Sequence, residues 1–268
     1  MTARACPAFP AQPHASSLHG LGRQGRPYRR AARVAVWMVV LARTFLGVNV
    51  QAAVVPPISP ARTAAAAGLI DVRSRVPDLT LDIQYAGSDN FLGRPAKGYL
   101  APKCLLLPTA ADALARAERA LRAQGYRLLI WDCYRPVRAV DDFVRWAHAP
   151  AEDERGKAAH YPRLAKSQLL GDYIAPVSGH SQGATVDLTL LRCVDGRTCA
   201  PLDMGTGFDY FDPLAHTDAP GLTADQRANR ARLRAAMEEA GFRNYPLEWW
   251  HYTFDGAAAN LRYDVPVE

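Results

Sequence analysis

The sequence has no Cys-x-x-C pair, no internal repeat and, beyond residue 52, no surplus of positive charge. Without Cys-x-x-C, neither a thiolate zinc cluster nor a thioredoxin-like redox motif is expected. The charge is unevenly placed. The 268 residues carry a formal +6, but residues 1–52 hold seven arginines and no acidic residue, so the remainder sums to −1. A nearly neutral body gives no electrostatic basis for binding nucleic acid or an anionic membrane. A long uninterrupted apolar run is also missing. The stretch from Val34 to Val50 is broken by Arg43 and is short for a membrane span.

What is present suits one globular domain of ordinary size, 49% hydrophobic and 22% charged. Arg29, Arg30 and Arg33 precede the apolar stretch, and Val50-Gln51-Ala52 ends it with small residues. Residues 1–52 therefore read as a long basic targeting segment, removed on export to an oxidising space such as the periplasm. Residues 53–68, rich in proline and alanine, read as a linker, and 69–268 as the catalytic domain. Outside the leader four cysteines remain, enough for two disulfides. Cys193 and Cys199 flank a turn-like stretch and can close a small loop, which leaves Cys104 with Cys133.

Apolar–polar alternation predicts strands at Leu79–Tyr85, Ala184–Leu190 and Trp249–Phe254, and a buried strand at Tyr126–Asp132. Helices are predicted from Thr109 to Ala123, from Pro136 to about His148 and from Thr223 to Ala240. Asp203–Pro213 is a Gly- and Asp-rich loop. Strands and helices do not alternate regularly. The expected fold is thus α+β, a single domain with a central antiparallel sheet flanked by helices and a metal site in a cleft.

Two segments carry the chemistry: Ser178-Gly179-His180-Ser181-Gln182-Gly183-Ala184-Thr185-Val186-Asp187 and Glu248-Trp249-Trp250-His251. His180, Asp187 and His251 are the right number and type of ligands for a catalytic zinc, which keeps one position for water. Glu248 is a carboxylate beside them that can take that water's proton. A straight strand would part His180 from Asp187 by roughly 23 Å at about 3.3 Å per residue. The chain must therefore bend, and Gly179 and Gly183 allow it. Glu248 and His251 would point to opposite faces of a regular strand. Irregular backbone is needed there too, which Pro246 permits.

The ordered pattern Ser-x-His-x6-Asp…Glu-x-x-His resembles the zinc D,D-peptidases of peptidoglycan metabolism, on the D-alanyl-D-alanine dipeptidase side. Tyr85–Gly93, Tyr134-Arg135-Pro136 and Asp203–Asp209 add to the resemblance, which spans roughly residues 70–264. It implies one Zn²⁺ on His180, Asp187 and His251, with Glu248 as general base and then acid. It also implies that Arg135 stabilises the oxyanion. Ser178 and Asp203 would hold the ammonium of a small D-Ala-D-Ala substrate, with Asp209 competing for Asp203's role. The segment bearing Cys193 and Cys199 departs from the pattern and would reshape the mouth of the pocket.

Three rivals remain. Gly179-His180-Ser181-Gln182-Gly183 fits the G-x-S-x-G nucleophile elbow, with Asp203 or Asp209 and then His251 in triad order. That motif needs a strand before it and a helix after it, whereas a strand is predicted after it. A zinc carboxypeptidase acting on longer peptidoglycan stems, and a non-catalytic wall-binding module, keep the fold and change the activity.

Overall fold

The structure, a computed structural model, describes residues 55–150, 156–194, 198–257 and 259–268. The expected leader, residues 1–52, lies outside the described residues. In chain order the elements are β1 (Ile70–Asp71), β2 (Thr80–Leu81), β3 (Leu105–Leu106), α1 (Pro108–Arg122), β4 (Tyr126–Asp132), α2 (Val137–His148), α3 (Lys157–His160), β5 (Thr185–Val194), β6 (Thr198–Pro201), α4 (Ala224–Glu239), β7 (Phe242–Tyr245) and β8 (Glu248–Phe254). Among the described residues, no helix is long and apolar enough to cross a membrane.

A six-stranded sheet in the order β2-β4-β5-β8-β7, with β6 also on β5, forms the centre. It is mixed, which corrects the expected antiparallel sheet: β2 pairs with β4 in parallel, while β5, β6, β7 and β8 pair antiparallel. The parallel step follows from α1, which lies between β2 and β4 in the chain and lets β4 return in the same direction. The strand predicted over Leu79–Tyr85 is cut to two residues. A 3-10 turn at Gln84–Ala86 swings Tyr85 into the interior.

Helix α1 buries Ala110, Ala111, Leu114, Ala117 and Leu121 at helical spacing, and packs on β4 and α4. Its N-cap is Leu107 rather than Thr109, with Pro108 in the first turn. Helix α4 is closed at its start by a capping box between Thr223 and Gln226. Its Leu233 and Met237 are fully buried. Truncating a leucine such as Leu121, fully buried, would cost about 2–5 kcal/mol.

Part of the segment read as a linker is attached to the body. Ser59 N–H donates to the Arg262 carbonyl at 2.8 Å, Arg262 N–H donates to Pro57 at 2.9 Å, and Ala67 is buried in the core. Both disulfides form as expected, Cys104–Cys133 and Cys193–Cys199.

Candidate metal centre

Three strands place three functional side chains in one row. Asp132 of β4 pairs with Asp187 of β5, and Asp187 pairs with His251 of β8. Directly opposed residues point to the same face of a sheet. This face is opposite Val186 and Leu188, which are in the core.

His180 reaches the row from outside the sheet. It sits in a 3-10 helix, Gly179–Gln182, whose N-cap Ser178 accepts from His180 N–H at 3.3 Å. Gly183 then turns the chain at φ 73° into β5. Any other residue would be strained at that φ, and its Cβ would displace Leu69 Cδ2, 2.5 Å away. This is the bend that the His180–Asp187 spacing demands.

The irregularity required near Glu248 is also found. Asn244 of β7 pairs with Tyr252, but Tyr245 pairs with Glu248, so β8 carries extra residues against a single step of β7. The Asn244 side-chain amide donates to the carbonyls of Glu248 and His251, both at 3.1 Å, and fills the gap. Glu248 and His251 thereby face one cavity. Glu248 Oε2 lies 3.4 Å from His251 Nδ1.

His180, Asp187 and His251 each offer one ligand atom, all within 4.8 Å of one another. His180 Nδ1–H donates to the Cys133 carbonyl at 2.6 Å, which fixes the tautomer and leaves Nε2 bare. That Nε2 is 3.3 Å from His251 Nδ1 and 3.2 Å from Asp187 Oδ2. Asp187 Oδ1 is buried without a hydrogen-bond donor and faces His251 Nδ1 at 3.1 Å. The bare His180 Nε2 and the unsatisfied, buried Asp187 Oδ1 converge beside His251 Nδ1, where a cation would satisfy both. The donor set fits a metal ion.

Around these lies a cavity of about 270 Å³, lined by Tyr85, Arg135, Phe143, Tyr173, Ser178, Asp209, Tyr245 and Glu248 as well as the three ligand candidates. Burial pushes the Glu248 carboxyl well above its usual range, and Asp187 and Asp209 add to the shift. Burial acts on Asp187 in the same direction, but His180 and His251 outweigh it and its pKa falls. For His251 burial wins over Asp187 and the pKa is lowered, which keeps the ring neutral and ready to coordinate.

Arg135 is held from all sides. Its Nε donates to Asp132 Oδ2 at 2.9 Å and its Nη2 to Asp187 Oδ2 at 3.3 Å. The guanidinium lies 4.9 Å from the Tyr85 ring centroid and 5.0 Å from that of Phe143. A charge so fixed is pre-oriented toward the cavity.

Asp132 and Tyr85 were not singled out as site residues. Asp132 is fully buried, accepts from Tyr99 Oη–H at 2.6 Å, and holds Arg135 while lying 3.5 Å from His180 Nδ1. The signal for it was a lone acid closing the buried run Tyr126–Trp131. Tyr85 Oη–H donates to Asp209 Oδ2 at 2.7 Å.

Asp203 is corrected. It is exposed, caps Gly205 N–H at 2.8 Å, accepts from Gln226 and does not line the cavity. A short acidic side chain in a Gly-rich turn bonds its own loop first. Asp209 of the same loop is 4% exposed and lines the cavity instead. The segment bearing Cys193 and Cys199 is corrected as far as its described residues go: β6 pairs with Leu191–Val194, the end of β5 remote from Asp187, and among the described residues of this segment none lines the cavity. The elbow reading of Ser181 fails on context, since β5 rather than a helix follows, and Ser181 lies outside the cavity.

Two imidazoles and a carboxylate converging on one point, with a buried carboxyl and a fixed arginine beside them, define a metal-dependent hydrolase. The chain belongs to the D-Ala-D-Ala dipeptidase family of peptidases, whose profile matches residues 65–267. It is 45% identical over 194 residues to a D-alanyl-D-alanine dipeptidase of Streptomyces coelicolor, covering 72% of this chain and 94% of the relative. An enzyme of the same name from Enterococcus faecium is 40% identical over 189 residues, covering 70% of this chain and 92% of that one. One from Enterococcus faecalis is 42% identical over 172 residues, covering 64% and 83%.

Proposed function

We propose that this chain is an exported zinc dipeptidase that splits D-Ala-D-Ala into two D-Ala. The observation that carries the reading is a second acidic group, Asp209, buried in the same small cavity as the metal-ligand cluster. The cavity, about 270 Å³, is near the lower end of the ~300–1,000 Å³ typical of small-molecule sites. Burial keeps this carboxyl protonated in the empty cavity, and an ammonium beside it favours its ionised form, so the site recognises a free amine and rejects an acylated chain.

His180, Asp187 and His251 would hold the zinc, a metal suited to nitrogen and oxygen ligands at three protein positions. When bound, zinc polarises the scissile carbonyl and lowers the pKa of a water toward ~7. Glu248 takes the proton of the attacking water and returns it to the departing amine. Burial raises its pKa, which makes it a stronger base than an exposed glutamate. Arg135 stabilises the oxyanion as the carbonyl becomes tetrahedral. Asp209, with Tyr85 beside it, receives the ammonium, and Ser178 at the rim assists.

Export is supported by the arginines ahead of Val34–Val50 and by the two disulfides, which persist in an oxidising compartment. An enzyme outside the cytoplasm meets D-Ala-D-Ala from the wall, so its role is recycling D-Ala rather than depleting a cytoplasmic pool. Recovery of the mature protein from the cytoplasm would overturn this.

The activity is tested by D-Ala release from D-Ala-D-Ala and from its N-acetylated form, with and without chelator. Chelator-sensitive release from the free dipeptide alone supports the proposal. Preference for the acetylated form would make the protein a carboxypeptidase, and no release from either would leave a binding module.

A further inference from the structure

Among the described residues Asp209 is the one non-glycine residue with positive φ, at 52°. Aspartate tolerates this region better than most residues, yet such a backbone persists only where its surroundings hold it. Two contacts from one residue do so. The Nδ1–H of His160 donates to the Asp209 carbonyl at 3.2 Å. The N–H of Phe211 donates to the His160 carbonyl at 2.6 Å. His160 thus ties down the chain at Asp209 and again two residues on. It is anchored in turn at the end of α3, its own N–H donating to the Gly156 carbonyl at 2.9 Å.

The ring chemistry agrees. Burial lowers the His160 pKa against the opposing pull of the Asp209 carbonyl, so the ring is neutral at neutral pH and has one N–H to give. With the proton on Nδ1 the ring donates to the Asp209 carbonyl, since a carbonyl cannot donate, and the neighbouring Phe208 carbonyl is a second acceptor on the same loop. His160 does not itself line the cavity, so it acts through Asp209. With the backbone fixed, the Asp209 carboxyl is aimed inward and meets Tyr85 Oη–H at 2.7 Å.

We propose that His160 is the positioning residue for the substrate's amine: it locks Asp209 in its left-handed conformation and so sets the preference for a free ammonium over an acylated one. This rests on the reading of Asp209 given above. The backbone clamp is separate from the metal cluster, so its loss should affect recognition of the amine and not the chemical step.

The test compares the zinc-loaded wild type with His160→Ala, His160→Asn and Asp209→Ala on D-Ala-D-Ala and on the N-acetylated dipeptide, the latter at high enzyme concentration. Asparagine places an N–H donor where Nδ1–H stands. Expected for His160→Ala is a KM for the free dipeptide raised about tenfold, the loss of roughly one positioning hydrogen bond, with kcat changed less than about threefold. Activity on the acetylated dipeptide should not fall, and His160→Asn should restore most of the KM. Zinc content and circular dichroism of each variant show that the fold is kept. An equal loss of kcat on both substrates would overturn the inference, as would an unchanged preference in His160→Ala when Asp209→Ala abolishes it. An Asp209→Ala enzyme that keeps the preference would remove the Asp209 reading and this inference with it.

Discussion

Replacing Asp209 by asparagine should change how stability depends on pH. Burial, first of all, lifts the Asp209 carboxyl from 3.8 to about 8, although its hydrogen bond from Tyr85 and the charge of Arg135 pull it down. A folded pKa above the unfolded one means that the native state holds a proton the unfolded chain has released. The associated stability is complete below pH 3.8 and is lost as pH rises through about 8. The slope is about 1.4 kcal/mol per pH unit, so the wild type should lose roughly 4 kcal/mol from this group between pH 5 and pH 8. Asparagine keeps an oxygen to accept from Tyr85 and has no proton to lose. Urea unfolding of metal-free wild type and Asp209→Asn at pH 5, 6, 7 and 8 gives the difference directly. Buried acids that feel the Asp209 charge, Glu248 among them, are repelled as it ionises in the wild type and so add to the difference in the same direction. The variant should gain on the wild type steadily as pH rises. A difference that stays flat across the range would refute a protonated Asp209.

Glu248→Gln should retain bound zinc by elemental analysis while kcat falls about 10²–10⁴-fold, the usual loss for a general base. Ser181→Ala should leave kcat/KM within about twofold, because the Ser181 hydroxyl is buried without a partner and outside the cavity; a loss comparable to that of Glu248→Gln would revive the serine mechanism. Cys193→Ser with Cys199→Ser should lower stability by about 2 kcal/mol from the loss of a short loop closure, read as a drop in Tm. The same pair should leave kcat unchanged, since β6 lies at the far end of β5.

Helices α1, α2 and α4, the strands β4, β5 and β8 and the convergence of His180, Asp187 and His251 were legible because each rests on local signals: periodicity, caps, and side chains whose chemistry is distinctive; the short helix α3 falls in a stretch that reads as irregular. The bend at Gly183 and the irregularity before Trp249 were legible as necessities, deduced from what His180, Asp187, Glu248 and His251 must reach. Their execution was not. The Asn244 amide that closes the β7–β8 gap has no sequence signature, because it matters only once the two strands are paired. Asp203 and Asp209 look alike in a Gly-rich loop, and only the packing of Tyr85 and His160 decides which one turns inward. The direction of β2 depended on the path of α1, and the docking of residues 56–62 on partners some 200 positions away, such as Arg262 with Pro56.

The row Asp132–Asp187–His251 has a consequence for how this protein matures. A one-residue slip in β5 or β8 would turn Asp187 or His251 to the other face of the sheet. The outermost of the three ligand candidates, His180 and His251, are 71 positions apart, and the set meets only in the native register. A cation that binds this arrangement and no slipped one draws the population toward correct pairing by mass action. The metal would then act as a proofreader of strand alignment, rejecting misregistered chains before any substrate is met.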